Sequence, residues 1–221
     1  MTQLAIRSAL IGLLITLLVA PGHLMAADAG EAERLVERLQ ARLANCRDYQ
    51  YRVTCYERRG ERQEERSFRL YVKDGRLIRI QVLSGRGRGS EAVLNARGQV
   101  RARKGGVLKA FARTLSPDDR RVCSLRGTPF WDAVCHNFLR DLQGRLGRPG
   151  AFSQVTSVPD QPGQYLLFLQ MPGGIRERYW IDSRAMHLLR GEVCEGDVLV
   201  QRFQIDDIRE NVGLSDTFFS F

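Results

Sequence analysis

Histidine, serine and cysteine side chains carry most acid–base and nucleophilic chemistry, but none of them lies in a recognisable catalytic pattern in this chain. His136 and His187 have no partner motif that would supply a nucleophile or an orienting carboxylate. The sequence contains neither a G-x-S-x-G nucleophile elbow nor an H-E-x-x-H zinc motif. We therefore predict a protein without catalytic residues, whose histidines lie on the surface or in the packed interior.

Adjacent carboxylates occur twice, at Asp118-Asp119 and at Asp206-Asp207. The first pair follows Ser116-Pro117, an order that predicts a helix with serine as its N-cap and carboxylates at its N-terminus. The second pair is expected at the end of a strand, where neighbouring side chains point to opposite faces. Neither pair is typical of a metal site, so the sequence predicts no metal and no cofactor.

Glycine and arginine alternate in residues 84–90, SGRGRGS, a pattern shared by phosphate loops, RG-type nucleic-acid contacts and hairpin turns. Gly87, Gly89 and Ala92 match the relaxed dinucleotide pattern G-x-G-x-x-A after a predicted strand. That pattern needs a long helix whose N-terminus meets the pyrophosphate, but Gly98 interrupts the chain six residues after Ala92. The acidic residue expected about 20 residues onward is also missing.

This glycine-rich segment is therefore predicted to be a flexible connection between antiparallel strands. Its two arginines, Arg86 and Arg88, are expected to meet either water or the anionic headgroup of a lipid. The formal net charge of +9 is spread along the chain. Such a distribution is typical of a solvated basic surface, and it also suits an anionic membrane surface or another anionic partner.

The N-terminus has the anatomy of a secretory signal peptide. Arg7 precedes an uncharged apolar run of 12 residues, ALIGLLITLLVA at 9–20, and Pro21 and small residues follow it. The run is shorter than the roughly 20 residues of a membrane-spanning helix. We predict that residues 1–26 are cleaved, with an uncleaved anchor as the alternative, and that the mature protein is periplasmic. Export argues against a nucleic-acid partner.

The elements that must position these residues follow from hydrophobic spacing. A helix is predicted from Glu31, and three alternating strands follow, the last two joined by a hairpin turn at Asp74-Gly75. Two short strands come after residues 84–90. A second helix is predicted from Thr128-Pro129 to about Leu146, and about five strands complete the chain. Residues 165–171, YLLFLQM, are apolar on both faces, which is typical of a strand covered on both sides.

No repeat or linker divides this order, so residues 27–221 are predicted to form one α+β domain, mainly antiparallel β. The order resembles that of the LolA-like superfamily. Local sequence is also similar to a bacterial branch of it, in RGSEAVLNARGQVRARKGG (88–106), SPDD (116–119) and ENVGLSDTFF (210–219). The resemblance implies an incomplete, half-closed barrel of about ten strands, covered by the N-terminal helix and a helical insertion at about 107–147, whose hollow holds acyl chains.

In that superfamily the lid helices fall where this chain has its insertion. The resemblance thus implies a ligand-binding underside of the lid, formed by Phe130, Trp131, Val134 and Phe138, although the same stripe could simply pack the barrel shut. The implied function is a periplasmic, non-enzymatic carrier or chaperone for lipid or lipoprotein acyl chains, active in lipoprotein transport towards the outer membrane. The alternative is an envelope sensor or protein-interaction module of the RseB type, with no transport role.

Five cysteines in an exported protein allow disulfides, and an odd count leaves at least one thiol unpaired within the chain. No C-x-x-C motif is present. In the lid arrangement Cys123 and Cys135 are the most reachable pair, and we predict a bridge that ties the preceding loop to the lid helix.

Overall fold

The computed structural model describes residues 29–106, 111–116 and 119–221; the predicted signal peptide, residues 1–26, lies outside them. The elements in chain order are α1 (Ala29–Ala44), β1 (Asp48–Arg59), β2 (Arg62–Lys73), β3 (Leu77–Ser84), β4 (Glu91–Leu94), β5 (Val100–Arg103), β6 (Ala112–Leu115), α2 (Cys135–Leu146), β7 (Phe152–Ser157), β8 (Gln164–Met171), β9 (Ile175–Asp182), β10 (His187–Glu195) and β11 (Val198–Glu210). Arg120–Val122 and Asp216–Phe219 form short 3₁₀ helices. No helix in the described ranges has the length and hydrophobicity needed to cross a membrane.

The eleven strands of the described residues belong to one antiparallel sheet, in the order β6-β5-β4-β3-β2-β1-β11-β10-β9-β8-β7. The first and last strands therefore pair in the middle of the sheet. β6 and β7, which flank α2 in the chain, lie at opposite edges and do not pair with each other. The sheet is thus an open half-barrel, as predicted, with eleven strands where about ten were expected.

Both helices pack on one face of the sheet, which we call the concave face; the opposite face is the convex face. Strand alternation places Tyr51, Leu70 and Leu167 on the concave face, where each is at most 1% exposed. The apolar stripe of α1 packs against them, and Leu35 and Val36 are 4% and 0% exposed. The burial of this shared apolar surface is the main source of the stability of the fold.

The second helix is shorter than its sequence pattern predicts, because it begins at Cys135 and not at Thr128-Pro129. Backbone donors before Cys135 find other partners: Phe130 N donates to the Val122 carbonyl at 3.1 Å, and an isolated bridge joins Cys123 to Pro129. Val134 stays extended with ψ 144°. These contacts to the preceding loop hold the segment out of the helix.

The predicted helical insertion also contains a strand, β6, which pairs with β5. The helix start expected at Ser116 is replaced by the 3₁₀ helix Arg120–Val122, and its N-cap is Asp119, which accepts a hydrogen bond from Arg121 N at 2.9 Å. Pro117, Asp118 and residues 107–110 lie outside the described residues. The edge of β5 offers unpaired backbone groups, and β6 satisfies them.

The prediction for Asp206-Asp207 is wrong, because both carboxylates lie on one face. Asp206 accepts from Arg52 Nε at 2.5 Å and Asp207 from Arg69 Nη2 at 2.6 Å. Arg52 and Arg69 are cross-strand partners on the convex face. The cause is the backbone of Asp207, which has a left-handed φ of 51°. Asp207 lies opposite the register shift between Gln50 and Arg52, and this irregularity turns its side chain to the convex face, beside that of Asp206.

The C-terminal residues after β11 cover part of the convex face. Phe219 is 2% exposed and packs against Leu77 of β3 and Val93 of β4. Arg79 donates to the Phe218 carbonyl at 2.7 Å, and its guanidinium lies 4.5 Å from the centre of the Phe218 ring. The apolar side chains on this part of the convex face are therefore shielded from water.

β8 lies at the other end of the sheet, and only its concave face is covered. Leu167 and Leu169 on the concave face are 0% exposed. Leu166 and Phe168 on the convex face are half-buried and belong to neither hydrophobic cluster of the described residues. The prediction of a strand covered on both sides is wrong for the convex face, since the described C-terminal residues pack over β2 to β5 instead.

Candidate functional site

A cavity of ≈ 530 Å³ lies between the concave face of the sheet, α2 and the turn that precedes α2. The sheet supplies an apolar wall, and the helix side supplies a polar one. The side chains that line the cavity are Val53, Cys55, Phe68, Tyr179, Leu188, Val193, Gln201, Phe203 and Ile205 from the sheet, and Thr128, Asp132, Ala133, Cys135, Asn137, Phe138, Arg140, Asp141 and Arg145 from the helix side.

Aromatic rings from both sides meet at this cavity. Phe138 of α2 packs edge-on against Tyr179 and Phe203, with ring centres 5.4 and 5.6 Å apart. The position of Phe203 depends on Gly191, where a Cβ atom would lie 2.4 Å from the Phe203 ring. Glycine at 191 therefore lets two large rings share one stretch of cavity wall.

A buried ion pair joins α2 to the sheet at the same cavity. Arg145 Nη1 donates to Glu177 Oε1 at 2.8 Å, and Tyr179 donates to Glu177 Oε2 at 2.7 Å. The Glu177 side chain is 4% exposed. Burial, and then Glu177, raises the pKa of Tyr179 well above its ordinary value, so the phenol stays a neutral donor. Among the described residues that have buried side-chain polar atoms without a hydrogen bond, only Arg145 lines the cavity; its Nη2 has no hydrogen bond, and its Nε has only the ion-pair contact with Asp141.

The rim of the cavity carries further charge. Asp132 and Arg140 are exposed, and Asp141 lies 3.2 Å from Arg145 Nε. Partial burial and then the nearby Asp141 raise the pKa of Asp132, since both disfavour its charged form. The site is thus apolar at the sheet and charged at its helical rim.

The start of α2 is fastened to the concave face by two tyrosines. Tyr51 donates to the Ala133 carbonyl at 3.3 Å and accepts from Cys135 N at 3.2 Å. The Tyr49 hydroxyl lies 2.8 Å from His136 Nδ1. Burial and then Arg140 lower the pKa of His136, which favours a neutral ring. His136 is thus half-buried and bound to Tyr49, between the surface and the packed interior that were expected for it.

The other histidine belongs to a polar cluster beside a small cavity of ≈ 40 Å³. His187 Nε2 lies 3.0 Å from Glu210 Oε1, and Arg42 pairs with the same carboxylate. Cys46 accepts from Arg42 at 3.3 Å, but burial raises the pKa of its thiol. A buried, protonated thiol is a poor nucleophile, so this cluster anchors α1 to β10 and β11.

The cysteines at the large cavity are also protonated thiols. Burial raises the pKa of Cys55 to about 12 and that of Cys135 to about 11. Cys123 Sγ lies 3.7 Å from the Asp119 carbonyl oxygen. The Cys123–Cys135 bridge stays a prediction. The described residues contain no group of three or more His, Cys, Asp or Glu side chains that could hold a metal ion.

Of the four side chains predicted for the underside of the lid, only Phe138 lines the cavity. Phe130 and Val134 are 6% and 0% exposed and pack in the core. Trp131 is half-buried and meets the Phe130 ring edge-on at 5.2 Å. The prediction assumes helical spacing across all four residues. Phe130, Trp131 and Val134 precede α2, so they do not share a helix face with Phe138.

Arg86 and Arg88 are exposed in the loop that joins β3 to β4, as expected for a hairpin connection. Arg88 N donates to the Gly85 carbonyl at 3.2 Å, and Gly89 N to the Val82 carbonyl at 2.8 Å. No described residue of this loop lines the cavity. Their contact with a headgroup stays a prediction.

Sequence analysis missed most of the sheet wall and the polar rim. Alternation in β9 does place Tyr179 on one face with Ile175 and Ile181. No pattern in the sequence shows that Phe203 and Gly191, on other strands, lie beside it. The pairing of β9, β10 and β11 creates that neighbourhood.

No family model matches the sequence, and no curated protein matches it. Among solved structures, an uncharacterised conserved protein from Thermus thermophilus is 14% identical, with a TM-score of 0.52 over 86% of this chain and 92% of that chain. A LolA superfamily protein from Nitrosomonas europaea is 12% identical, with a TM-score of 0.44 over 86% of this chain and 97% of that one. MucB is 12% identical, with a TM-score of 0.49 over 87% of this chain and 63% of MucB.

The architecture of this chain is an open antiparallel sheet with two described helices on its concave face. The chain shares its fold with the Thermus thermophilus protein. In this fold the insertion between the two groups of strands carries α2, and α2 forms one wall of the ≈ 530 Å³ cavity. The cavity therefore lies between the sheet and a helix that is joined to the sheet by connecting segments at both ends.

Proposed function

We propose that this protein is a non-enzymatic carrier or chaperone that binds an acyl chain of a lipid or lipoprotein in the cavity beneath α2. The observation that carries the proposal is a cavity of ≈ 530 Å³ with an apolar sheet wall and a charged helical rim. Volumes of about 300–1,000 Å³ are typical of ligand sites. An amphiphile suits this arrangement, because its tail covers the apolar wall while its polar end stays beside the charged rim.

The hydrophobic effect gives the scale of such binding. Each methylene group removed from water contributes about 0.8 kcal/mol, so about ten buried methylenes contribute about 8 kcal/mol. Part of this gain is lost to the ordering of the chain and the protein. The expected dissociation constant is therefore micromolar or weaker, which suits a carrier that must release its ligand.

We infer that the carrier acts in the periplasm. The support is the charged start, the apolar run at 9–20 and the small residues that follow it. Fractionation of expressing cells and mass determination of the N-terminal peptide test this inference. A full-length chain retained in the inner membrane would contradict it.

An envelope sensor or interaction module without a transport role is the alternative. Such a module can work with a filled interior, since its partner binds outside. The open volume between α2 and the sheet favours the carrier. A protein that binds no lipid but is cross-linked to one envelope partner would support the alternative instead.

A cavity-filling variant tests the carrier function. Val193 lines the cavity, whereas Val198 is 43% exposed and lies outside it. We expect Val193→Phe to weaken binding of 1-palmitoyl-lysophosphatidylcholine roughly tenfold, since the new ring displaces about two methylene groups of the tail. The matched variant Val198→Phe should bind like the wild type in the same isothermal titration.

Native mass spectrometry of the gently purified proteins gives a second measurement. The wild type and Val198→Phe should carry lipid, and Val193→Phe should carry less. A wild-type protein that binds no lysolipid, or equal affinities for all three proteins, would contradict the proposed site.

A further inference from the structure

The convex face of β7, β8 and β9 carries an apolar stripe that the proposed carrier function does not use. Leu166 is the cross-strand partner of Trp180, and Phe168 pairs with Gln154 of β7, two residues along from Phe152. Strand alternation therefore places Phe152, Leu166, Phe168 and Trp180 together on one face. The rings of Phe152 and Phe168 meet at 6.4 Å.

This stripe is open to solvent in the described structure. Phe152 is 49% exposed, and the other three side chains are half-buried. None of the four belongs to either hydrophobic cluster of the described residues. At the other end of the same face, described C-terminal residues cover the equivalent surface of β3 and β4. Contiguous apolar surface of this kind marks an interaction site.

Arginines border the stripe. The side chains of Arg176, Arg178 and Arg190 are 44%, 48% and 44% exposed. The Arg190 guanidinium lies 4.5 Å from the centre of the Trp180 ring, so a cation and an aromatic ring form one surface. Glu192, which pairs with Arg178 and Arg190, is only 11% exposed. Asp197, which pairs with Arg176, is fully exposed, so the outermost positive charges beside the stripe are those of Arg178 and Arg190.

We infer that this convex face of β7 to β10 docks on an anionic membrane surface. Phenylalanine and tryptophan rings are stable at the boundary between headgroups and acyl chains, and neighbouring arginines contact the phosphates. The apolar stripe supplies the insertion, and its arginine border supplies the attraction. A protein partner would also cover apolar surface, but the exposed positive border is complementary to anionic headgroups.

The docking face lies opposite the concave face, where α2 and the cavity are. A membrane bound there leaves the cavity wall and α2 uncovered. Docking and uptake of an acyl chain are therefore separate properties, and either can fail while the other holds.

The position of Trp180 allows a direct test. The chain has two tryptophans, Trp131 and Trp180, so Trp131→Phe leaves Trp180 as the single reporter and Trp180→Phe leaves Trp131. Both proteins are mixed with vesicles of phosphatidylglycerol and phosphatidylcholine whose acyl chains carry bromine near the headgroup. We expect strong quenching and a blue shift for Trp180 and little change for Trp131. Equal quenching of the two, or none, would overturn the inference.

Charge variants separate this face from the other basic surfaces. Each arginine near an anionic surface contributes about fivefold to partitioning. The double variant Arg178→Gln/Arg190→Gln should therefore weaken vesicle binding at least tenfold. Added salt should also weaken the binding of the wild type, because it screens these charges. The matched double variant Arg86→Ser/Arg88→Ser should leave vesicle binding unchanged. The opposite ranking would assign docking to the β3–β4 loop. Binding of monomeric lysophosphatidylcholine should not change in either pair, and it reports the cavity alone.

Discussion

At the scale of single residues, the most constrained side chain of the candidate site is Glu177. Its side chain is 4% exposed, and both of its oxygens accept hydrogen bonds, from Arg145 and from Tyr179. A buried carboxylate is tolerated only when it is paired in this way. The ion pair is thus a structural link between α2 and β9, and its Arg145 side lines the cavity.

Replacing only Arg145 should therefore lower the free energy of unfolding more than replacing both Arg145 and Glu177. We expect Arg145→Met to lower the free energy of unfolding by about 3–5 kcal/mol, because Glu177 would stay buried without its cation. The double variant Arg145→Met/Glu177→Gln should recover a large part of that loss. Urea unfolding measures both values. Strictly additive losses would show that the pair is not coupled.

His136 should make stability depend on pH. Burial and Arg140 lower its pKa, so below the ordinary histidine pKa of about 6.5 the unfolded chain binds a proton that the folded ring does not. Stability is then lost as the pH falls through that value. We expect His136→Gln to show a smaller drop in unfolding free energy between pH 7.5 and 5.5 than the wild type, as measured in urea. An unchanged drop would assign the pH dependence to other groups.

At the scale of elements, the hairpin loop at residues 84–90 depends on one glycine more than on the others. Gly85 has φ 78°, and a Cβ atom there would lie 2.4 Å from the Glu65 carbonyl oxygen. Gly98 also has a positive φ, 72°, but its surroundings are open. The two positions therefore separate a steric requirement from a purely conformational one.

We expect Gly85→Ala to lower the free energy of unfolding by at least about 1 kcal/mol more than Gly98→Ala does. Both variants carry the strain of a positive φ, so their difference reports the contact with β2. Thermal or urea unfolding of the two proteins measures it. Equal losses would show that the loop moves away from β2 without penalty.

The strands and α1 could be predicted from sequence, because alternation and helical spacing are local signals. The start of α2 and strand β6 could not, since distant partners decide them: Val122 accepts the Phe130 donor, and β5 pairs with β6. The apolar run in β8 shows the same limit. Its pattern reports two apolar faces, but only packing shows that one of them stays open.

At the scale of the whole molecule, the cavity depends on side chains that the sequence separates widely. Val53, Phe138 and Phe203 come from the first strand, the insertion and the last strand. Sequence patterns place each of them on an apolar face, but not beside each other. The open half-barrel and its cover were anticipated from the family resemblance, whereas no sequence pattern could show the polar rim and the aromatic wall.

The pairing of β1 with β11 also has a consequence for how the chain reaches its native state. β1 is hydrogen-bonded on one side to β2, its neighbour in sequence, and on the other side to β11, more than a hundred residues later. A chain that emerges N-terminus first can complete β1 to β5 early, but the second edge of β1 has no partner until the last strand arrives. An unpaired strand edge invites association with other chains. The protein should thus be most prone to aggregate while β11 is not yet paired with β1, and any truncation ahead of Val198 should trap it in that state.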